Sequence, residues 1–127
     1  MSEFENDKLK KKRELEARTR RFAVGVFLML KSLPNDVSTR VIAFQVGKSA
    51  SSIGANYREA NRAESRADFI HKLGIVLKET SETGYWLDIL CDLYPDSEIL
   101  QHLHAEIGEL TRLFQATNRS LRNSSNI

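Results

Sequence analysis

The chain has 127 residues, of which 41% are apolar and 28% charged, and its formal net charge is +2. These values predict a single globular domain, residues 1–127, with a core that needs no disulfide or structural metal, and they argue against a disordered or fibrous chain. The only cysteine, Cys91, excludes an intrachain disulfide, and the longest apolar run, "FAVGVFLML" at 22–30, is too short to span a membrane. We therefore expect a cytoplasmic protein.

Apolar residues at steps of three and four predict the first two helices. The first covers about residues 6–33 and ends before Pro34. Its seam consists of Leu15, Thr19, Phe22, Val26, Met29 and Leu33. The second covers about residues 37–61 and can be capped by Asn35 or Asp36. Its broad buried face is predicted to hold Val41, Ile42, Phe44, Val46, Ala50 and Ile53.

Capping signals predict where the last two helices begin. Ser65 followed by Asp68 fits a capping box, so a third helix starts near residue 65 and ends at Tyr94, before Pro95. Its seam consists of Ile70, Leu73, Leu77, Thr80, Gly84, Leu87 and Cys91. Asp96 or Ser97 caps the last helix. Its seam consists of Leu100, Leu103, Ile107, Leu110, Phe114, Thr117 and Leu121.

Four amphipathic helices joined by short turns predict an all-α fold, an antiparallel up-and-down four-helix bundle. No strand-like alternation competes with this interpretation. We expect a basic N-terminal extension at about 1–17 and a frayed polar tail at about 118–127. Each helix also contains glycine, which costs about 1 kcal/mol relative to alanine, and close helix approach is the expected compensation. These glycines are Gly25, Gly47 or Gly54, Gly74 or Gly84, and Gly108.

The first helix is apolar on more than one side. Beside its seam it presents a second stripe of Ala23, Phe27 and Leu30. Three partner helices cannot cover every side of a fourth, so this stripe predicts a subunit interface and a homo-oligomer.

Two motif-like patterns favour a structural interpretation. "VGKSASS" at 46–52 contains the end of a Walker A loop, but Ile42 stands where the motif requires its first glycine. Asp68 and His71 have the spacing of a di-iron ligand pair, but no second unit of this kind follows in the last helix. We therefore expect neither a cofactor nor a metal site.

Glu59 and Glu82 are the candidate pair of catalytic carboxylates. No nucleophile or convergent polar cluster accompanies them, and arginines nearby in the sequence account for their charges. We expect no catalytic residues and no enzyme activity.

The basic residues are the most informative surface feature. Residues 8–21 hold eight basic and two acidic side chains, and a smaller basic set lies near the corner between the second and third helices. Such clusters bind phosphate backbones without reading sequence, although a solvated face that only keeps the protein soluble remains an alternative. The candidate phosphate contacts are Lys10, Lys11, Lys12, Arg13, Arg18, Arg20 and Arg21, with Arg58, Arg62 and Arg66 secondary.

The stretch "FQVGKSASSIGANYREANRAESRADFIHKLGIVLKETSETGYWL", residues 44–87, resembles the bacterial four-helix-bundle proteins encoded in intervening sequences of 23S rRNA genes, sometimes labelled ribosomal. The similarity covers about residues 18–92. The matching positions are Ser49, Ala50, Ser52, Ile53, Ala55, Asn56, Glu59, Ser65, Phe69, Leu73, Ile75 and Glu82. The resemblance implies a homopentamer without catalytic residues or cofactor. Related accessory proteins of diversity-generating retroelements bind nucleic acid and a reverse transcriptase.

Together these features predict a non-enzymatic, oligomeric four-helix bundle that binds RNA or DNA through its basic surface. A complex with a protein such as a reverse transcriptase is a further expectation. The alternative is an adaptor that binds other proteins and no nucleic acid. Membrane association is not expected.

Overall fold

The chain folds into four long α-helices in a computed structural model that describes residues 2–124. The helices are α1 (Glu3–Lys31), α2 (Val37–Asn61), α3 (Arg66–Leu93) and α4 (Glu98–Ser124). Contacts join α1 to α2, α2 to α3, α3 to α4 and α4 back to α1, as in an up-and-down bundle with short turns. The predicted all-α four-helix bundle is confirmed.

Local capping signals set the starts of these helices. In each, a side-chain oxygen accepts a backbone N–H from the first turn. The four caps are Ser2, Asp36, Ser65 and Ser97. The Asp36 carboxylate accepts the N–H of Thr39 at 2.8 Å, and this hydrogen bond holds the pKa of Asp36 below its usual range.

The segments predicted as an N-terminal extension and a C-terminal tail are largely helical. Since α1 begins at Glu3, the basic segment predicted as an extension is helical from that residue onward. The last helix continues to Ser124, so residues 118–124 are also helical. Met1 and residues 125–127 of the predicted tail lie outside the described residues. None of the helices in residues 2–124 combines the length and apolar character that a membrane crossing requires.

One apolar core runs along the bundle axis, and all four helices contribute to it. The seams predicted for α1 and α4 are confirmed at their large aromatic side chains, because Phe22 and Phe114 are almost fully buried. The buried apolar side chains are Phe22, Val26, Met29, Ile42, Val46, Ala50, Ile53, Tyr57, Ala60, Leu73, Val76, Leu87, Leu90, Leu100, Leu103, Ile107, Leu110 and Phe114.

The buried face predicted for α2 is partly wrong. Val41 is 57% exposed and Phe44 is 67% exposed, whereas Ile42 and Val46 are buried as predicted. An α-helix turns by 100° per residue, so Val41 and Phe44 lie well off the stripe that Ile42, Val46 and Ile53 form towards the core. They face away from the bundle.

The glycine prediction holds for two helices. Added Cβ atoms would approach the Leu103 side chain from Gly25 at 3.3 Å, the Phe27 ring from Gly47 at 3.2 Å and Thr19 from Gly54 at 3.0 Å. Glycine therefore permits close packing of α1 against α2 and α4. The prediction is wrong for Gly74, Gly84 and Gly108, whose added Cβ atoms would meet no other helix within 4 Å.

Candidate nucleic-acid interface

The basic residues of α1 are distributed around the helix. With 3.6 residues per turn, the consecutive run from Lys10 to Arg13 faces every direction. Lys10, Lys11 and Arg13 are exposed, whereas Lys12 is half-buried with its ammonium 5.6 Å from the ring centroid of Phe69. This distance is typical of a cation–π contact. Lys12 is therefore already partly engaged within the bundle.

Arg18 is held by two carboxylates of α4. Its guanidinium donates to Glu106 from Nε at 2.8 Å and from Nη2 at 2.7 Å, and Nη2 also lies 3.1 Å from Glu109 Oε2. These hydrogen bonds raise the pKa of Arg18 further above its usual range, while the guanidinium lowers the pKa of Glu106. The sequence-predicted phosphate contact at Arg18 thus coincides with an ion pair that ties α1 to α4.

Arg66 has a similar internal role. Its Nη2 donates to the Leu121 carbonyl and, at 2.7 Å, to the Ser124 hydroxyl, both in the last turn of α4. Arginine satisfies the unpaired carbonyls that every helix C-terminus leaves. Arg66 therefore fastens the end of α4 to the start of α3.

Five of the predicted cations lie exposed on the side of the bundle formed by α1 and α2. Spacings of three and seven residues place Lys10, Arg13 and Arg20 on one stripe of α1. Arg58 lies in the last turn of the antiparallel α2 and Arg62 directly follows this helix, at the same end of the helix pair, and both are exposed. We call Lys10, Arg13, Arg20, Arg58 and Arg62 the basic end. Lys11, although exposed, lies off this stripe. Arg21 is also exposed, on the edge of the stripe that faces α4, where it is near enough to Glu106 to lower the pKa of that carboxyl.

A groove of about 430 Å³ between α1 and α2 runs through the basic end. Three guanidinium groups border it, those of Arg13, Arg20 and Arg58, although Arg58 is far from the other two in sequence. Small side chains form much of the remaining wall and leave the groove open. The other lining residues are Glu16, Ala17, Thr19, Ala23, Ser51, Gly54 and Ala55.

Glu16 and Asn61 are polar residues of this region that sequence reasoning missed. Asn61 Nδ2 donates to Glu16 Oε2 at 2.9 Å, and Arg58 Nε lies 3.6 Å from Glu16 Oε1. Asn61 Oδ1 is buried and has no hydrogen-bond partner among residues 2–124. Burial, with Glu16 as a lesser cause, raises the pKa of the nearby Tyr57. The sequence did contain one signal for Glu16: it lies three residues before the seam residue Thr19, so it is on the side of α1 that faces the bundle.

The other end of the same helix pair is apolar. We call it the apolar end. It consists of six exposed side chains, Val24, Phe27, Leu28, Val37, Val41 and Phe44. Of the three interface residues predicted on α1, Phe27 is 47% exposed, Ala23 lines the groove, and Leu30 packs against the core. Sequence reasoning missed the contribution of α2, because it assigned Val41 and Phe44 to the core.

The other polar motifs singled out in the sequence make contacts within the bundle. The Walker-like segment lies inside α2, where Gly47 makes room for Phe27. Asp68 Oδ2 pairs with Lys72 at 3.2 Å, and the Glu82 carboxylate accepts the indole N–H of Trp86 at 3.4 Å. Within residues 2–124, no three His, Cys, Asp or Glu side chains are grouped to hold a metal ion.

Residues of α3 and α4 line a second groove, which contains a close polar pair. His104 Nε2 and Asp88 Oδ1 are 2.6 Å apart, and both side chains are about half exposed or more. Cys91, nearby on α3, is half-buried, and burial raises the pKa of its thiol. Its Sγ lies 3.7 Å from the Leu100 carbonyl oxygen, so this thiol packs between α3 and α4 as a small side chain.

The comparisons with known proteins agree with this architecture. Residues 11–116 match the model of the 23S rRNA-intervening sequence protein family. The chain belongs to this family. A crystal structure of a protein of unknown function from the S23 ribosomal protein family of Bacteroides thetaiotaomicron VPI-5482 is similar over 82% of this chain and 97% of that chain, with 36% identity and a TM-score of 0.74. No curated protein matches the chain. Membership of the 23S rRNA-intervening sequence protein family confirms the predicted resemblance.

Proposed function

We propose that this protein is a non-enzymatic, self-associating four-helix bundle that binds RNA or DNA by placing the basic end against the phosphate backbone. The observation that carries the proposal is the convergence of five exposed cations on one side of the bundle, where, among residues 2–124, Glu16 is the only acidic residue lining the groove. A groove bordered by guanidinium groups suits an anion better than it suits proton transfer, because arginine stays protonated. This chemistry supports binding rather than catalysis.

Phosphate contacts of this kind give a characteristic salt dependence. Each neutralised phosphate of a DNA duplex contributes about −0.9 to the slope of log affinity against log salt concentration. If all five side chains of the basic end contact phosphates, the slope is about −4.5. Because the contacts are to the backbone, affinity changes little with base sequence.

The apolar end supports the self-association part of the proposal. Large exposed apolar patches on a soluble domain mark interaction surfaces, and six exposed apolar side chains lie at this end of the helix pair. Five copies, the number that the family resemblance implies, would repeat the basic end five times, and repeated weak contacts add through multivalency. A reverse transcriptase as a further partner stays a prediction.

The test is fluorescence anisotropy of labelled RNA and DNA, single-stranded and duplex, across a salt series. The variant Arg13→Gln/Arg20→Gln removes two cations from the basic end, and Lys78→Gln/Arg119→Gln removes two exposed cations from α3 and α4 as a matched control. We expect the first variant to reduce the magnitude of the duplex DNA slope by about 1.8, from two phosphate contacts, and the control to leave it unchanged. An equal reduction of the slope in both variants would contradict binding of phosphate at the basic end.

Self-association is tested separately by sedimentation of the wild type and Val41→Ser/Phe44→Ser. These two side chains are exposed, so their replacement leaves the core intact, and Tyr85→Ser/Leu93→Ser alters exposed apolar side chains elsewhere as a control. We expect an oligomer for the wild type and the control, and a smaller species for Val41→Ser/Phe44→Ser. A wild-type monomer at tens of micromolar would refute self-association.

The apolar end also favours a second candidate, a protein-binding adaptor. In that case a protein partner covers the apolar end, and the basic end serves solubility or meets an acidic surface. The salt series separates the two candidates, because an adaptor shows no steep salt-dependent affinity for nucleic acid.

A further inference from the structure

The groove at the basic end contains an anion supplied by the protein itself. This anion is the carboxylate of Glu16, whose side chain is 23% exposed. One oxygen accepts the Asn61 amide N–H at 2.9 Å, and the other lies 3.6 Å from Arg58 Nε. A carboxylate and a phosphate are alternative partners for the same guanidinium, because both present oxygens to its N–H groups.

We propose that Glu16 competes with nucleic-acid phosphate for Arg58 and thereby sets the affinity of the groove. In the free protein Arg58 pairs with Glu16. When a phosphate enters between α1 and α2, Arg58 turns to it, and Glu16 stays with Asn61. This inference rests on the proposed function and identifies the residue that weakens it.

The exchange requires little rearrangement. The Arg58 side chain is 58% exposed, so its guanidinium can reorient in solvent on a flexible stem. Glu16 accepts the Asn61 hydrogen bond through Oε2 and faces Arg58 with Oε1, so the departure of Arg58 does not require the hydrogen bond from Asn61 to break. Exposed ion pairs are weak, which makes the pair easy for a phosphate to open.

The remaining cations of the groove allow a phosphate to displace Glu16 from Arg58. Arg13 and Arg20 also border the groove, and neither forms an ion pair within residues 2–124. A phosphate between the two helices meets three guanidinium groups, whereas Glu16, fixed on α1, pairs with only one. Glu16 therefore reduces affinity without closing the site.

The experiment compares duplex DNA and RNA binding of the full-length wild type, Glu16→Gln, Arg58→Gln and the double variant, by anisotropy over a salt series. Glutamine keeps an oxygen for Asn61 and removes the charge. Glu14→Gln, alone and combined with Arg58→Gln, is the matched control, since it removes the same charge from an exposed position on the same helix. Urea unfolding of each variant checks that the bundle is retained.

We expect Glu16→Gln to tighten binding by roughly two- to fivefold, the range that an exposed ion pair accounts for. The gain requires Arg58, so it disappears when Arg58→Gln is also present. Glu14→Gln is expected to have a smaller effect that persists without Arg58. This non-additivity is what a double-mutant cycle measures.

The outcomes separate this inference from the proposed function. A gain of equal size with and without Arg58 would show a general charge effect and overturn the competition. Wild-type binding with no gain in Glu16→Gln would overturn the inference alone. Absence of wild-type binding to RNA and DNA at low salt would overturn both.

Discussion

Alanine at Gly54 should destabilise the protein, although alanine is the better helix former. The added Cβ lies 3.0 Å from Thr19 Oγ1 and 3.3 Å from Thr19 Cβ, closer than the roughly 3.5–4.0 Å of a favourable contact. Thr19 cannot yield easily, because it is fully buried and its hydroxyl donates to the Glu16 carbonyl at 2.8 Å. Relief therefore requires α1 and α2 to move apart.

Gly74 provides the matched comparison. It lies exposed inside α3, and an added Cβ meets nothing within 4 Å. Gly74→Ala should therefore gain about 1 kcal/mol of unfolding free energy from helix propensity alone. Gly54→Ala has the same gain minus an overpacking cost of about 1–3 kcal/mol, so its net effect is between about zero and −2 kcal/mol.

The difference between the two variants is the informative quantity, since the propensity term cancels. Urea unfolding followed by circular dichroism, at one fixed protein concentration, gives both values. We expect Gly54→Ala to be less stable than Gly74→Ala by about 1–3 kcal/mol. Equal stabilisation of both variants would refute the close packing of α1 on α2 at Thr19.

Two further predictions concern polar contacts between helices. Because Arg18 lowers the pKa of Glu106, this carboxylate contributes stability that is present above its unfolded pKa and is lost as pH falls through the folded value. Glu106→Gln should therefore lower the unfolding free energy at pH 7 by about 1 kcal/mol and lose less stability than the wild type when the pH falls below the ordinary glutamate pKa of 4.5. Urea unfolding at pH 7 and at a pH below that value tests this, and parallel loss in both proteins would contradict it. Inside the core, the Thr83 hydroxyl lies 2.9 Å from Ser49 Oγ, which also donates to the Val46 carbonyl at 3.3 Å. Thr83→Val should therefore cost about 0.5–1.5 kcal/mol, the net contribution of one hydrogen bond. In a double-mutant cycle with Ser49→Ala the combined cost should be less than the sum, and strict additivity would count against the bond.

The fold was predictable because its signals are local. Pro34 and Pro95 mark two of the turns, and Ser65 with Asp68 marks the third. Caps depend on neighbours in sequence, so a single chain shows them. The clean spacing of α4 predicted its buried residues from Leu100 to Phe114 for the same reason.

Exposure was less predictable for helices that carry two apolar stripes. Periodicity identifies a helix but does not tell which stripe the neighbours cover. Val41 and Phe44 looked like core residues because they lie beside Ile42 and Val46 in the sequence. Their exposure is decided by the positions of α1 and α3, which no local pattern contains.

The candidate site shows the same division between local and long-range information. The basic run of α1 is visible in the sequence, but the engagement of Arg18 depends on Glu106, 88 residues away. The groove likewise brings Arg58 to Arg13 and Arg20 through the antiparallel packing of two helices. Charge counting located the most basic helix and could not separate the cations that hold the bundle together from those that face solvent.

The basic and apolar ends share one rigid helix pair, and this links the two proposed activities. Arg20 and Phe27 are seven residues apart on α1, about 10 Å along the helix axis, which exceeds the roughly 8 Å Debye length at physiological salt. Under the proposed function, the charge of Arg20 is therefore largely screened at an interface formed through Phe27. A backbone that binds several basic ends at once favours the assembled form, and assembly in turn raises the affinity for the backbone, since linkage is reciprocal. Under the proposed function, loss of Phe44 should therefore weaken nucleic-acid binding although this side chain carries no charge.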